Sequence, residues 1–359
     1  MAKRIGILTS GGDCPGLNAA IRGVARASYQ FFDDAQIVGI MDGFGGLIDL
    51  QYREMDREEF SGILTRGGTI LRTSRQRDKM MRQNSGKYLD SFKMMAKNYG
   101  KMELDCIVVI GGNGTHAAAG LLFDQGLNVI SLPKTIDNDV WGTEVTFGYQ
   151  SAVDIATDVI DKVHTTAVSH SRVMIVELMG NTAGWLTLSA GIAGGADVIL
   201  LPEIPYDIGA VADVINDRYE SGKHFSIIAV AEGARSIDDS EEQNLKGQNY
   251  SIGYKLADDL NKVIDIDIRV VVPGHYQRGG APCPYDRVLA TQMGVYAAKL
   301  IEKRDFGHTV AVKGGEITSN LIKDVAGLTK TVPLDAPLLA VGRETGLSYG
   351  EPKQKKTAK

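Results

Sequence analysis

Residues 134–139 (Lys-Thr-Ile-Asp-Asn-Asp) bring a lysine, a hydroxyl and two carboxylates together in one short segment. They follow the apolar run Leu127–Leu132, which predicts a short buried strand. In open α/β sheets the loops after the carboxyl ends of strands bind ligands, and loops held by a rigid sheet carry catalytic groups. The segment therefore predicts a catalytic loop. The alternative is a capping turn, because Asp, Asn and Thr favour turns in any protein.

A pattern of strand, glycine turn and helix occurs twice in the sequence. Glycines in such a turn let backbone N–H groups face a ligand, beside the positive end of a helix. One such turn is weak evidence, but two turns in one parallel sheet can face the same crevice. The two copies are Ile5–Leu8, residues 10–16 and Leu17–Tyr29, then Cys106–Ile110, Gly111–Thr115 and Ala117–Phe123.

Strand and helix patterns continue to alternate along the chain. This order predicts parallel sheets with right-handed crossovers, and 359 residues suffice for about two domains. We therefore predict an α/β protein with two Rossmann-like domains and mostly parallel sheets. The further predicted elements are strands at Gln36–Met41, Arg172–Leu178, Asp197–Leu201, Ser226–Glu232, Ile268–Val272 and, last, Thr309–Lys313, with helices at Phe147–Thr166, Ile208–Tyr219, Ser251–Val263 and Tyr285–Lys303.

Composition and charge narrow the classes of function. The net charge of −5 gives no indication of non-specific nucleic-acid binding. No apolar run approaches the roughly 18–20 residues that cross a bilayer, and no signal peptide is evident, so we predict a cytoplasmic protein with no membrane partner. The three cysteines match no zinc pattern and are expected to be reduced thiols. Residues 351–359 are expected to form a disordered basic tail.

Taken in order, the motifs resemble those of the 6-phosphofructokinase family, in the branch that mixes ATP-dependent and pyrophosphate-dependent members. They span the chain to about Lys313. The matching segments are Gly11-Gly12-Asp13 with Pro15-Gly16-Leu17-Asn18, then Gly111-Gly112-Asn113-Gly114-Thr115, Thr135-Ile136-Asp137-Asn138-Asp139, Ser169-His170-Ser171-Arg172, Val176-Glu177-Leu178-Met179-Gly180 and Gly274-His275-Tyr276-Gln277-Arg278-Gly279-Gly280.

The resemblance implies transfer of a terminal phosphoryl group to the 1-hydroxyl of fructose 6-phosphate, with Mg²⁺ as cofactor. Asp137 would be the general base, Thr135 would bond the phosphoryl group or the substrate, and Lys134 and Asp139 would complete the catalytic set. The residues implied for the nucleotide are Gly11, Gly12, Arg75, Gly112, Asn113, Gly114 and Thr115, and those for the metal are Asn113 and Asp139.

The resemblance also implies the sugar-phosphate site and its assembly. Arginine suits a phosphate better than lysine because its guanidinium binds in a bidentate way. In the family, the arginines that match Arg172 and Arg269 enter the site of a neighbouring subunit, which implies a homo-oligomer, expected to be a tetramer with shared active sites. The substrate-binding residues implied are Thr135, Ile136, Asp137, Arg172, Met179, Gly180, Asn181, Glu232, Arg269, His275, Tyr276, Gln277 and Arg278.

Three positions bear on the metal and on the phosphoryl donor. Asn113 and Asn181 stand where many members carry Asp and Arg, so one metal carboxylate and one cation are missing. We hypothesise that Lys134 restores the positive charge. Gly114 leaves room for the α-phosphate of a nucleotide, whereas Lys134 also occurs in pyrophosphate-dependent members. We expect ATP as the donor, with pyrophosphate as the alternative.

Several further expectations follow from the resemblance. The donor domain would comprise residues 1–145 and about 273–318, and the sugar-phosphate domain residues 146–272 and about 319–350, with the active site in the cleft between them. Rival readings are a lipid or NAD kinase on a related scaffold and a non-catalytic sugar-phosphate sensor. Arg22, Arg26 and Arg57 resemble an allosteric phosphate site, or they form an exposed helix face.

Overall fold

A computed structural model describes residues 3–74, 86–239 and 251–352. Its strands are β1 Arg4–Thr9, β2 Gln36–Ile40, β3 Tyr52–Met55, β4 Cys106–Gly111, β5 Val129–Pro133, β6 Val173–Leu178, β7 Val198–Leu200, β8 Ser226–Ala231, β9 Ile268–Val271, β10 His308–Lys313 and β11 Glu316–Leu321. Its α-helices are α1 Leu17–Phe31, α2 Phe44–Asp49, α3 Gly86–Lys101, α4 Asn113–Asp124, α5 Tyr149–His170, α6 Trp185–Ala193, α7 Ile208–Glu220, α8 Ile252–Leu260, α9 Pro284–Lys303, α10 Ile322–Val325 and α11 Pro337–Glu344.

The chain forms two compact units. Unit 1 comprises residues 1–151 and 278–330, and unit 2 comprises residues 152–277 and 331–359. Within the described residues, no helix is both long enough and apolar enough to cross a bilayer. Arg75 and residues 353–359 of the predicted basic tail lie outside the described part of the chain.

Unit 1 is built on a seven-stranded sheet with the order β11-β10-β5-β4-β1-β2-β3. Its inner strands are parallel, whereas β3 and β11 run antiparallel to their neighbours at the two edges. Helix α1 packs on one face, where Ile21 meets the core formed by Ile7 and Val108. Helix α4 packs on the other face, where Leu122 meets Ile107. The connections from β1 and β4 therefore leave on opposite faces, which makes the β1/β4 boundary a topological switch point.

Strand β10 is not the last strand, contrary to the prediction from sequence. Strand β11 pairs with β10 from His308↔Leu321 to Lys313↔Glu316. Its side chains are only partly buried, because it is a sheet edge, and its mixed polar sequence gave no strand signal. Residues 319–330, which the sequence analysis grouped with the sugar-phosphate domain, belong to unit 1 because this hairpin and α10 pack there.

Unit 2 is built on a four-stranded parallel sheet with the order β7-β8-β6-β9. Its strands are short apolar runs of the kind that parallel sheets bury on both faces. Helices α7 and α8 cover one face, where Val211 and Leu256 join Ile175 and Ile228 in a single core. Helix α6 packs close to β7 and β8, since a methyl group on Gly191 would lie 2.5 Å from a carbon of Ile199.

In unit 1, helices α1 and α9 cross at an unusually short separation. A Cβ on Gly294 would lie 2.6 Å from the backbone oxygen of Ala20, and a Cβ on Gly23 would lie 2.8 Å from the backbone oxygen of Thr291. Because the obstacles are backbone atoms, they cannot rotate away. Both positions therefore require glycine for the helices to pack at this distance.

We expect Gly294→Ala to lower the free energy of unfolding by about 1–3 kcal/mol, the cost of overpacking a tight core. The matched control is Gly100→Ala in α3, where a Cβ meets no atom within 4 Å. Alanine is the better helix former, so the control should be neutral or more stable by up to about 1 kcal/mol. Urea denaturation of both variants measures the difference, and equal stabilities would contradict the close crossing.

Candidate active site

Three loops of unit 1 lie side by side at the carboxyl ends of β1, β4 and β5. The backbone N–H of Ser10, which follows β1, donates to the carbonyl of Ile110 in β4 (2.9 Å). The backbone N–H of Lys134, which follows β5, donates to the carbonyl of Gly111 (2.9 Å). The two glycine turns and the 134–139 segment are thus brought together at the switch point.

The second glycine turn leads directly into the N-terminus of α4. Gly112 precedes the helix, and the first-turn N–H groups at Asn113 and Gly114 have no intrahelical acceptor by the geometry of any α-helix. A Cβ on Gly111 would lie 2.2 Å from the hydroxyl oxygen of Thr115, so only glycine allows the turn to close on this threonine. The turn presents backbone donors and the positive end of a helix, a combination that binds anionic phosphates.

Hydrogen bonds from Thr73 and Asn18 anchor the first glycine turn and the segment that lies beside it. The Thr73 hydroxyl donates to the carbonyl of Gly11 (2.7 Å). The Asn18 side chain donates to the carbonyls of Arg66 and Gly67 (3.0 and 3.2 Å) and holds the Arg66–Thr69 turn against α1. Arg75, expected to contact phosphate, follows this anchored stretch but lies outside the described residues.

Lys134 is a buried cation at the centre of the three loops. Its side chain is 3% exposed, and its ammonium group donates to the carbonyl of Gly12. Behind it, burial and then the charge of Lys134 lower the pKa of His116 to about 4, so this histidine is neutral. The Nδ1 atom of His116 forms a hydrogen bond with the hydroxyl of Ser131 (2.7 Å).

The 135–139 loop holds Asp137 with one oxygen unpaired. The backbone N–H of Asp137 donates to the hydroxyl oxygen of Thr135 (3.1 Å), which fixes the turn. Among the described residues, the buried Oδ1 atom of Asp137 has no hydrogen-bond partner. Such an oxygen is expected at a reactive site, because buried carboxylates are otherwise hydrogen-bonded. Ile136 is fully buried, so its side chain does not reach a ligand, and only its backbone could do so.

Asp139 lies beside Asp137 and is 7% exposed. Burial, and then the neighbouring charge of Asp137, raise the pKa of Asp139 to about 6. The side-chain amide of Asn113 donates to the Asp139 carboxylate (2.9 Å) and to its carbonyl (3.0 Å). Because both acceptors need N–H donors, they fix the amide orientation, and the Asn113 oxygen points away from Asp139.

In the described part of the chain, no group of three or more His, Cys, Asp or Glu residues could hold a metal by itself. A single buried carboxylate nevertheless fits Mg²⁺, which proteins commonly bind through one or two carboxylates together with substrate phosphates and water. Asp139 is such a carboxylate, whereas the amide nitrogen of Asn113 faces Asp139 and cannot be a ligand in this orientation.

In unit 2, a second group of predicted residues lies at the carboxyl ends of β6 and β8. Glu232 accepts hydrogen bonds from the backbone N–H groups of Gly180 (3.2 Å) and Asn181 (2.7 Å). The backbone N–H of Met179 donates to the side-chain oxygen of Gln277 (3.3 Å). Gln277 is fully buried, so its side chain braces the Met179 loop rather than facing a ligand.

Arg172 and Arg269 do not join this group. Both pair with Asp267, with the Arg172 Nε atom 2.5 Å from the carboxylate. Arg172 precedes β6 and Arg269 lies near the start of β9, whereas Met179 follows the other end of β6. A six-residue strand spans about 20 Å, so one chain places these arginines far from its own Met179 loop.

In the loop that precedes α9, residues up to Gln277 belong to unit 2 and residues from Arg278 onward belong to unit 1. His275 is exposed and Tyr276 is 68% exposed, so neither is a core residue. Arg278 belongs to unit 1 and is 9% exposed, and its Nη1 atom donates to the carbonyl of Asp13 (3.1 Å). Its buried Nε atom has no hydrogen-bond partner among the described residues.

Comparison with known families adds the deciding observation. Residues 4–301 match the model of one family, described as Phosphofructokinase. The chain belongs to the phosphofructokinase family. The resemblance inferred from the motifs is thereby confirmed, and so is the predicted α/β class with mostly parallel sheets.

Individual phosphofructokinases match over most of the chain. The ATP-dependent 6-phosphofructokinase of Spirochaeta thermophila is 50% identical over 361 residues, covering 97% of this chain and 98% of that protein. The enzyme of the same name from Propionibacterium freudenreichii is 44% identical, covering 98% of this chain and 100% of that protein. The structure of phosphofructokinase from Saccharomyces cerevisiae matches with a TM-score of 0.77 and 30% identity, covering 90% of this chain and 45% of that one.

Sequence reasoning missed two residues that shape the phosphofructokinase loop. The hydroxyl of Thr146, which is fully buried, donates to the carbonyl of Thr135 (2.8 Å). The ammonium group of Lys330 donates to the side-chain oxygen of Asn138 (3.0 Å). Neither lies in a motif, and no pattern in the sequence signals a contact across 192 positions.

The raised pKa of Asp139 gives a prediction about stability. The charged form is disfavoured in the folded state, so this group costs stability as the pH rises from about 4 to about 6. Asp139→Asn removes this charge. We expect the free energy of unfolding of the variant to exceed that of the wild type, and this difference to be about 2 kcal/mol larger at pH 7.5 than at pH 4.5. Urea denaturation without divalent cations measures this difference. A difference independent of pH would contradict the raised pKa.

Proposed function

We propose that this protein transfers the γ-phosphoryl group of ATP to the 1-hydroxyl of fructose 6-phosphate, giving fructose 1,6-bisphosphate and ADP. The observation that carries the proposal is Asp137, whose buried Oδ1 atom lacks a partner in the described structure, in a loop beside two phosphate-binding turns. Membership of the phosphofructokinase family supports it, as do two relatives named ATP-dependent 6-phosphofructokinase that match over nearly their whole length.

In the proposed reaction, Asp137 acts as the general base. Its carboxylate accepts the proton of the sugar hydroxyl while the sugar oxygen bonds to the γ-phosphorus, and the bond from that phosphorus to the β–γ bridging oxygen breaks. The hydroxyl oxygen of Thr135 already accepts from the N–H of Asp137, so its proton is directed to the phosphoryl group or the substrate. A positioned base contributes about 10²–10⁴ in rate.

The phosphates of ATP are assigned to unit 1. The N–H groups at the start of α4, together with the turn at Gly11 and Gly12, supply donors, and Lys134 supplies a positive charge. Phosphoryl transfer depends mainly on such positioning and charge stabilisation. Lys134 would thereby replace the cation that is missing at Asn181.

We propose Mg²⁺ as the divalent ion, held by Asp139 and the phosphates of the nucleotide. When bound, it would neutralise charge that develops on the transferring group. The low exposure and raised pKa of Asp139 support this role, because a nearby cation would favour its charged form. Asn113 then serves to orient Asp139 through its amide donors, rather than to bind the metal.

The sugar phosphate is assigned chiefly to unit 2. Glu232, oriented by the N–H groups of Gly180 and Asn181, would accept hydrogen bonds from sugar hydroxyls, and His275 and Arg278 would bind the phosphate. A non-catalytic sensor would need these residues but would have no use for the unpaired oxygen of Asp137. That oxygen favours the enzyme over the sensor.

We propose that Arg172 and Arg269 complete the site of a neighbouring subunit in a homo-oligomer, expected to be a tetramer. Their position at the amino ends of β6 and β9 supports this, because they lie about 20 Å from their own Met179 loop. An effector-phosphate site at Arg22, Arg26 and Arg57 stays a prediction. The guanidinium of Arg57 stacks 4.5 Å from the centre of the Tyr29 ring.

One assay tests both the general base and the phosphoryl donor. Formation of fructose 1,6-bisphosphate is measured for the wild type and for Asp137→Asn, with ATP and with pyrophosphate. We expect the variant to lower kcat by about 10²–10⁴ while the KM for fructose 6-phosphate changes little. The control Asp124→Asn, at the exposed end of α4, should retain wild-type turnover. Wild-type turnover in Asp137→Asn would refute the base, and faster wild-type turnover with pyrophosphate would refute ATP as the donor.

Shared sites are tested by mixing inactive subunits. Asp137→Asn and Arg172→Ala, dissociated and reassociated together, should regain activity well above the sum of the two alone, because some sites combine an intact Asp137 with a neighbour's intact Arg172. The control pairs Asp137→Asn with Lys134→Ala, whose lesions lie in the same loop and cannot complement. Absence of recovery in the first mixture would show that each chain uses its own arginines.

A further inference from the structure

Lys330 closes the far side of the 135–140 loop through its backbone. It is the last residue of unit 1, and its N–H donates to the carbonyl of Asp139 (2.7 Å). The preceding residue, Thr329, forms an antiparallel bridge with Val140. Thr329 and Lys330 therefore form a short antiparallel pairing with the end of the loop, although they are distant in sequence.

The side chain of Lys330 reaches under the same loop. Its ammonium group donates to the side-chain oxygen of Asn138 (3.0 Å) and to the carbonyls of Thr143 (2.8 Å) and Glu144 (2.9 Å). An ammonium group has three protons, and these three acceptors match them. The lysine thus joins residues 138 and 143–144, the two ends of the turn that follows Asp137.

Asn138 links this lysine to the reactive carboxylates. It has a φ of +52°, in the left-handed region that residues other than glycine rarely adopt. Its side-chain oxygen also accepts from the N–H of Thr146 (3.1 Å), and its amide donates to the carbonyl of Glu144 (3.3 Å). These bonds hold the Asn138 backbone in its rare conformation. Asp137 and Asp139 are attached to either side of that backbone, so its conformation fixes where both carboxylates point.

The surroundings of Lys330 are suited to a fixed cation. Burial lowers the pKa of Lys330 to about 8, while the charges of Asp139 and Glu144 act in the opposite direction. The nearby carboxylates of Asp139 and Glu144 favour the charged form of the ammonium group. A charged donor makes stronger hydrogen bonds than a neutral one, and at this depth a polar group is costly to leave unsatisfied.

We propose that Lys330 is a positioning residue for catalysis, which fixes the conformation of Asn138 and thereby aims Asp137 at the substrate hydroxyl. The proposal rests on the role of Asp137 as the general base. It predicts a loss in turnover rather than in substrate affinity, because Lys330 bonds the loop and not the ligands. Misplacing a reacting group by about 1 Å can cost about 10²-fold in rate.

The test compares Lys330→Met, which removes the charge and all three donors at similar length, with Lys330→Arg, which keeps both. We expect Lys330→Met to lower kcat by about 10- to 100-fold, with the KM values for ATP and fructose 6-phosphate within about three-fold of wild type. Lys330→Arg should recover most of the lost turnover. Lys162→Met, which removes an exposed lysine paired only with Asp158 among the described contacts, should match the wild type.

A double variant separates positioning from a merely structural effect. If Lys330 acts by aiming Asp137, Lys330→Met should cost little further turnover in an Asp137→Asn background. Equal fold-losses in both backgrounds would overturn the proposal, and so would an unchanged kcat in Lys330→Met. If Lys330→Met does not fold, Lys330→Gln takes its place under the same criteria. Absence of turnover in the wild type would instead refute the proposed function.

Discussion

The buried ammonium group of Lys134 is the constraint on which the candidate site depends. A charge at 3% exposure is costly unless it is hydrogen-bonded and close to opposite charge. Lys134 meets both conditions, because it donates to the carbonyl of Gly12 and lies near Asp139, whose raised pKa it partly offsets. Its own backbone is held by β4 through Gly111. One residue therefore ties the loops of β1, β4 and β5 to a common geometry.

The same region also contains a buried carboxylate, Asp139, whose charge lowers the stability of the fold. Asp139 is buried beside Asp137, and its raised pKa shows that its charged form is disfavoured in the free protein. Asn113 compensates in part, because its amide donates to that carboxylate. Asn138 holds a left-handed backbone conformation at the centre of the loop. Costly features of this kind concentrate at functional sites, where the rest of the fold must offset them.

The sequence predicted the buried strands and the glycine turns well, for a physical reason. Strand β4 is a continuous apolar run that ends at Gly111, and β1 has an apolar centre that is soon followed by Gly11 and Gly12, so both signals are local. Strand β11 was missed because an exposed antiparallel edge carries no such run. The contact of Lys330 with Asn138 was missed because nothing near either residue records it.

Side-chain direction within a motif was also beyond sequence reasoning. Ile136 and Gln277 lie in family motifs, yet both are fully buried and face the protein interior. A motif shows that a segment approaches the ligand, but burial decides which of its side chains can do so. The family motifs lie at the carboxyl ends of β5 in unit 1 and of β6 in unit 2, where an α/β sheet exposes its loops.

The carboxylate of Asp267, which pairs with both Arg172 and Arg269, limits the mobility of the two side chains. One carboxylate orients two guanidinium groups and cancels only one of their two charges. The rotamers of both side chains are thus restricted by contacts within the chain itself. Immobilising a long side chain on binding costs about 0.5–1.5 kcal/mol of conformational free energy. For these two arginines, part of that cost arises on folding instead. The pair therefore presents a preorganised unit of positive charge at the amino ends of β6 and β9.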